Sequence, residues 1–96
     1  MSDSSDEDAV ELPLDGILDL HSFRPRDVSS VVDEYLRACR EEGVLQIRII
    51  HGKGIGALRE TVHATLEKRD DVVRYRLDSE SASGWGATLV ELKPQT

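Results

Sequence analysis

The chain has 96 residues, 39% hydrophobic and 32% charged, with one cysteine and a formal net charge of −7. That length holds one core and excludes two lobes closing over a large cofactor. A lone cysteine excludes an internal disulfide or a cysteine-rich metal cluster, and no apolar run approaches membrane-spanning length. The acidic amino terminus is the opposite of a signal or transit peptide, so a soluble, reducing, cytoplasmic setting is expected.

Residues 1 to 11 carry Asp3, Asp6, Glu7, Asp8 and Glu11 and no base. With almost nothing apolar to offset the entropy of ordering, this stretch is expected to be a disordered acidic tail ahead of a single domain over residues 12 to 96. The rest of the chain holds 14 acids against all 12 bases, a net of −2, so the overall charge understates how well the folded part tolerates a polyanion. The tail is read as a solvated extension, with competition for a basic site as the sharper and weaker alternative.

Leu12 and Leu14 form an entry segment, and Gly16 to Leu20 reads as a short strand. There Leu18 and Leu20 point to one side and Asp19 and His21 to the other. Pro25 suits the first turn of a helix. Val28, Val31, Val32, Tyr35, Leu36 and Cys39 then follow helical spacing, with Gly43 as a stop and Cys39 as a core residue. Val44 to Ile50 has the β-branched character of a central strand, and Ile50 beside Ile49 suggests burial on both faces. Ile55, Leu58, Val62 and Leu66 define a second helix ending before Asp70. Two further strands, Val72 to Leu77 and Ala87 to Leu92, flank a polar loop that contains Trp85, and the order is βαβαββ.

His21 and His51 each follow a strand and stand about thirty positions apart, the span of one βαβ unit. If the two strands are parallel, both histidines emerge at the carboxyl edge of one sheet, where open α/β folds place ligands. Either imidazole suits general acid or base chemistry, phosphate contact or metal ligation, and Asp19 is placed to orient His21 or to bind a metal itself. Gly52-Lys53-Gly54-Ile55-Gly56 lies between a strand and a helix, where backbone amides receive an anion and Lys53 adds charge. The same glycines also serve a tight turn with no ligand. The pattern fails the dinucleotide fingerprint, because Asp70 and Asp71 precede the following strand instead of closing it, and it lacks the Walker spacing. His63, inside the second helix, reads as a solvated helix-face residue away from the strand edge. Trp85, between Gly84 and Gly86, caps the core or presents a stacking face to an unpaired base.

Leu18-Asp19-Leu20-His21, His51-Gly52-Lys53-Gly54 and Gly86-Ala87-Thr88-Leu89-Val90-Glu91-Leu92, in that order, resemble the three signatures of the Smr, or small MutS-related, domain over about Leu14 to Lys93. The resemblance implies an α+β two-layer sandwich like the carboxyl-terminal domain of bacterial translation initiation factor three. It also implies DNA or RNA binding, with endonuclease or nicking activity in several members. Ser22 stands where the family usually has glycine, and Ser83-Gly84-Trp85-Gly86 is similar to the Thr-Gly-Trp-Gly element of plant Smr proteins with pentatricopeptide repeats. On this reading Asp19 and His21 activate the attacking oxygen or hold a metal that does so, with Mg²⁺ the candidate ion. His51 positions or protonates an oxygen. Gly52, Lys53 and Gly54, together with Ser83, Gly84, Trp85 and Gly86, contact the nucleic acid. Without a repeat array, targeting falls to a protein partner or to recognition of shape. The alternative is a noncatalytic nucleic-acid or protein interaction module using the same groove.

Overall fold

Alternation places Leu18 and Leu20 in the core while Ile17, Asp19 and His21 stay outside, and this pattern starts the first strand, β1, at Ile17–Asp19. A short 3₁₀ turn at Pro25–Asp27 leads directly into α1, Val28–Glu41, so Pro25 opens the helical segment as its fixed φ favours. Val28, Val32, Tyr35, Leu36 and Cys39 form the buried stripe of α1. β2 follows at Gln46–Ile50, α2 at Ala57–Glu67, β3 at Val72–Leu77 and β4 at Ala87–Leu92. The computed structural model describes residues 12–52, 56–78 and 86–95. The expected tail, Lys53, Gly54, Ser83, Gly84 and Trp85 lie outside them.

The four strands form one mixed sheet in the order β1-β2-β4-β3. β1 pairs parallel to β2, with Asp19 opposite Ile50, and Leu20 extends the ladder by donating to the Ile50 carbonyl at 2.9 Å. β4 runs antiparallel to both β2 and β3, with Thr88 opposite Ile49 on one side and Leu77 on the other. Leu18, Ile47, Ile49, Val90 and Leu92 face the helices and share one core with Val28, Val32, Leu36, Val62 and Leu66. This is the α+β layering expected.

Helices cover one face only. Ile17, Arg48, Arg74, Arg76, Leu89 and Glu91 line a shallow open groove on the other face. The expectation that Ile50 marks burial on both faces of β2 is therefore corrected: Ile50 is half-buried, and its neighbour Arg48 is paired to Asp78 at 2.9 Å. An arginine can cover apolar surface with its stem while keeping its head polar, which a second helical layer would not allow.

Between α2 and β3, Arg69 donates to both oxygens of Asp71 at 2.9 and 2.8 Å and to Asp33 on α1 at 2.9 Å. Arg40 also approaches Asp71, at 3.6 Å, and donates to the Lys93 carbonyl at 2.7 Å. Hydrogen bonds from Arg69 hold the Asp71 carboxyl below the usual carboxylate range, and its side chain is only 13% exposed, so water screens the pair weakly. A depressed carboxyl stabilises the fold above its unfolded value, and that stabilisation is lost as the pH falls through the folded value. Asp71→Asn is expected to cost ~2 kcal/mol at pH 7 and to flatten the loss of stability below about pH 4, read from urea melts across that range. Parallel acid profiles for the two proteins would remove this network from the acid response.

Candidate nucleic-acid interface

Because β1 and β2 are parallel neighbours, the residues that follow them leave the sheet at the same carboxyl edge. His21 follows β1 there and His51 follows β2. Asp19 Oδ1 accepts from the His21 backbone N–H at 3.0 Å and lies 2.9 Å from Nδ1 of the same residue. The backbone N–H, then the ring, lower the Asp19 pKa, so the carboxylate is anionic at neutral pH. An anionic acceptor fixes the proton on Nδ1 and leaves Nε2 outermost, on a side chain 80% exposed. That arrangement suits proton exchange with a bound molecule. The turn after it is closed by Phe23 donating to the Leu20 carbonyl at 3.1 Å, and the Phe23 ring packs against the core. The turn through Ser22 is thus anchored from the apolar side.

His51 is placed very differently. It is 7% exposed, and both of its ring nitrogens are engaged: Nδ1 is 3.1 Å from the Gly52 carbonyl and Nε2 is 2.8 Å from Thr88 Oγ1. Burial, with Arg59 adding positive charge nearby, lowers its pKa, so the ring is neutral at pH 7. The backbone N–H groups of His51 and Gly52 both donate to the Gly86 carbonyl, each at 2.8 Å, and Gly86 is itself buried. Those bonds tie the end of β2 to the start of β4. The structure thus brings Asp19, His21, His51, Gly52 and Gly86 to one edge of the sheet.

His63 is not the solvated helix residue the sequence suggests. Its Nε2 lies 2.8 Å from Thr88 Oγ1, its ring stands edge-on to His51 at 6.2 Å, and Tyr75 flanks it at 4.8 Å. Burial, with His51 and Arg59 adding to it, lowers the His63 pKa as well. Val62, Thr65 and Leu66 form the buried stripe of α2, and residue 63 sits on the flank of that stripe facing β3 and β4. Thr88, fully buried between the two imidazoles, also escaped the sequence reading. A polar residue at an inward position of a strand whose other inward residues, Val90 and Leu92, are apolar was the available signal, since such a group needs a buried partner.

No three residues among His, Cys, Asp and Glu converge as a metal-ligand set among the described residues. None of the described helices is long and apolar enough to cross a membrane.

Comparison with known proteins agrees with this fold. The Smr domain family model matches residues 18–93. Endonuclease MutS2 of Halothermothrix orenii is 42% identical over 76 residues, and Endonuclease MutS2 of Staphylococcus saprophyticus is 40% identical over the same length. Each match covers 79% of this chain and 10% of the relative, so the chain spans about a tenth of the length of these MutS2 proteins. The crystal structure of the Smr domain of Thermus thermophilus MutS2 superposes with a TM-score of 0.75 at 31% identity, covering 81% of this chain and 98% of that domain. YdaL, a stand-alone small MutS-related protein from Escherichia coli, gives a TM-score of 0.76 at 26% identity over 86% of this chain and 68% of YdaL. The chain belongs to the Smr domain family.

Proposed function

We propose that this Smr domain binds DNA or RNA at the carboxyl edge of β1 and β2 and cleaves phosphodiesters there, acting as an endonuclease or nicking enzyme. The observation that carries the reading is the Asp19–His21 pair: an anionic carboxylate orienting an exposed imidazole at the edge where Gly52 also leaves β2. In this mechanism Asp19 fixes the His21 tautomer and stabilises the cation that forms when Nε2 takes the proton of the attacking oxygen. The turn starting at Gly52 offers backbone amides to the phosphate, with Lys53 adding charge and Trp85 a stacking face. His51 holds the Gly52 carbonyl, and a proton-donating role would require it to leave Thr88 or Gly52. A relative named for endonuclease activity supports the reaction class.

One observation favours a noncatalytic interaction module at the same edge. Arg37, Arg40, Arg48, Arg69 and Arg74 are all engaged with carboxylates, which leaves less free positive charge for phosphates. The two readings separate in one experiment. Labelled single-stranded RNA, linear duplex DNA and supercoiled plasmid are incubated with the protein in Mg²⁺ or in EDTA, and binding and strand scission are scored separately. Binding with nicked plasmid or cut RNA supports the nuclease, and binding alone supports the module. Failure to bind any of the three at low salt overturns the nuclease and leaves only a module that binds protein.

A further inference from the structure

The proton inventory around Thr88 allows one arrangement at neutral pH. The Gly52 carbonyl has no proton, so His51 Nδ1, 3.1 Å away, must carry one. A neutral ring then has a bare Nε2, which accepts from the Thr88 hydroxyl at 2.8 Å. That hydroxyl has a single proton, now spent, so His63 must supply the remaining one through Nε2–H to Thr88 Oγ1, also at 2.8 Å. The reverse polarity would set the bare Nδ1 of His51 against the Gly52 carbonyl, two acceptors facing each other in a buried place. Adding a proton to His51 Nε2 would give Thr88 two donors and leave its own proton without an acceptor in this chain of bonds.

We propose that Thr88 and His63 are positioning residues for Gly52: through this directed chain they hold His51 as its neutral Nδ1–H tautomer, which grips the Gly52 carbonyl and fixes how the chain leaves β2. His63, on α2, thereby reaches the nucleic-acid edge without touching it. The consequence for binding rests on the function proposed above, whereas the tautomer does not.

Long-range ¹⁵N–¹H NMR of the full chain reads each imidazole nitrogen directly. Wild-type protein at pH 7.5 is expected to show His51 protonated on Nδ1 and bare on Nε2, and His63 protonated on Nε2. Thr88→Val, which keeps the shape and removes the hydroxyl, is expected to mix the His51 tautomers, shift the Gly52 amide resonance and speed its exchange. It should also weaken retention of a labelled single-stranded RNA about fivefold. Thr88→Ser restores the wild-type pattern. His63→Gln, which keeps an N–H donor, is expected to retain the His51 tautomer, and His63→Leu to lose it. A wild-type His51 protonated on Nε2 overturns the proposal, as does a folded Thr88→Val protein whose Gly52 amide is unmoved. If wild-type protein shows the stated tautomers but retains no nucleic acid, the binding function fails and the positioning of Gly52 stands.

Discussion

Replacing Asp19 and His21 together by alanine is expected to lower strand scission by about 10²- to 10⁴-fold, the range over which a positioned acid or base accelerates a proton transfer. Both side chains are substantially exposed, at 47% and 80%, so their loss removes little packing and the melting temperature should hardly move. Single variants divide the effect. His21→Ala removes the group that exchanges the proton and should approach the double variant. Asp19→Asn keeps an oxygen to accept from the His21 backbone and ring but loses the charge that stabilises the imidazolium, and should fall between. Binding, scored by retention at low salt, should survive in all three, because none removes a cationic group that the reading assigns to phosphate. Scission that persists unchanged in the purified double variant would place the chemistry elsewhere.

Periodicity carried most of the architecture. The limits of β3 and β4 match the predicted strands Val72 to Leu77 and Ala87 to Leu92, and the buried residues of α1 lie on the stripe its spacing predicts. The parallel pairing of β1 with β2, inferred from one βαβ span, puts Asp19 opposite Ile50 and brings His21 and His51 to one edge. The sheet order was less accessible. α2 carries the chain from β2 to β3, but β4 returns between those two strands, and local pattern contains no information about which neighbour a last strand selects.

The unseen part of the site follows from that insertion. Only with β4 between β2 and β3 does Thr88 come to lie beside Ile49 and Leu77 and beneath His63. His63 is 25 residues from its partner in sequence, so neither residue signals the other. Ile50 escapes local pattern for a related reason: two adjacent apolar residues look the same whether the second is covered by a helix or left half-buried. Residues carrying exposed chemistry, such as Asp19 and His21, were legible because their pairing is local, two positions apart.

Gly16→Ala is expected to destabilise the protein by ~3 kcal/mol, combining about 1–2 for an L-residue in the left-handed region with about 1–3 for forced overpacking. Gly16 has φ +87°, and a Cβ there would stand 2.7 Å from the backbone oxygen of Gln46, an atom that cannot rotate aside as a side chain can. The backbone has little room to yield. Gly16 N–H donates to the Tyr35 hydroxyl at 3.2 Å, and its carbonyl accepts from Arg48 N–H at 2.6 Å. The Tyr35 hydroxyl also donates to the Pro13 carbonyl at 2.8 Å, so moving Gly16 disturbs the strap that seats the entry segment on α1. For a domain of this size the loss should lower the melting temperature by more than about 10 °C. Gly43→Ala separates the two contributions: its φ is +80°, but nothing lies within 4 Å of the added Cβ, so only the backbone cost of about 1–2 kcal/mol is expected. β1 begins one residue after Gly16, and Asp19 closes it. Displacing the strand should therefore also reduce scission beyond what the unfolded fraction explains. Equal destabilisation by the two alanine variants would show that the Gln46 oxygen yields easily and that Gly16 is needed only for its φ.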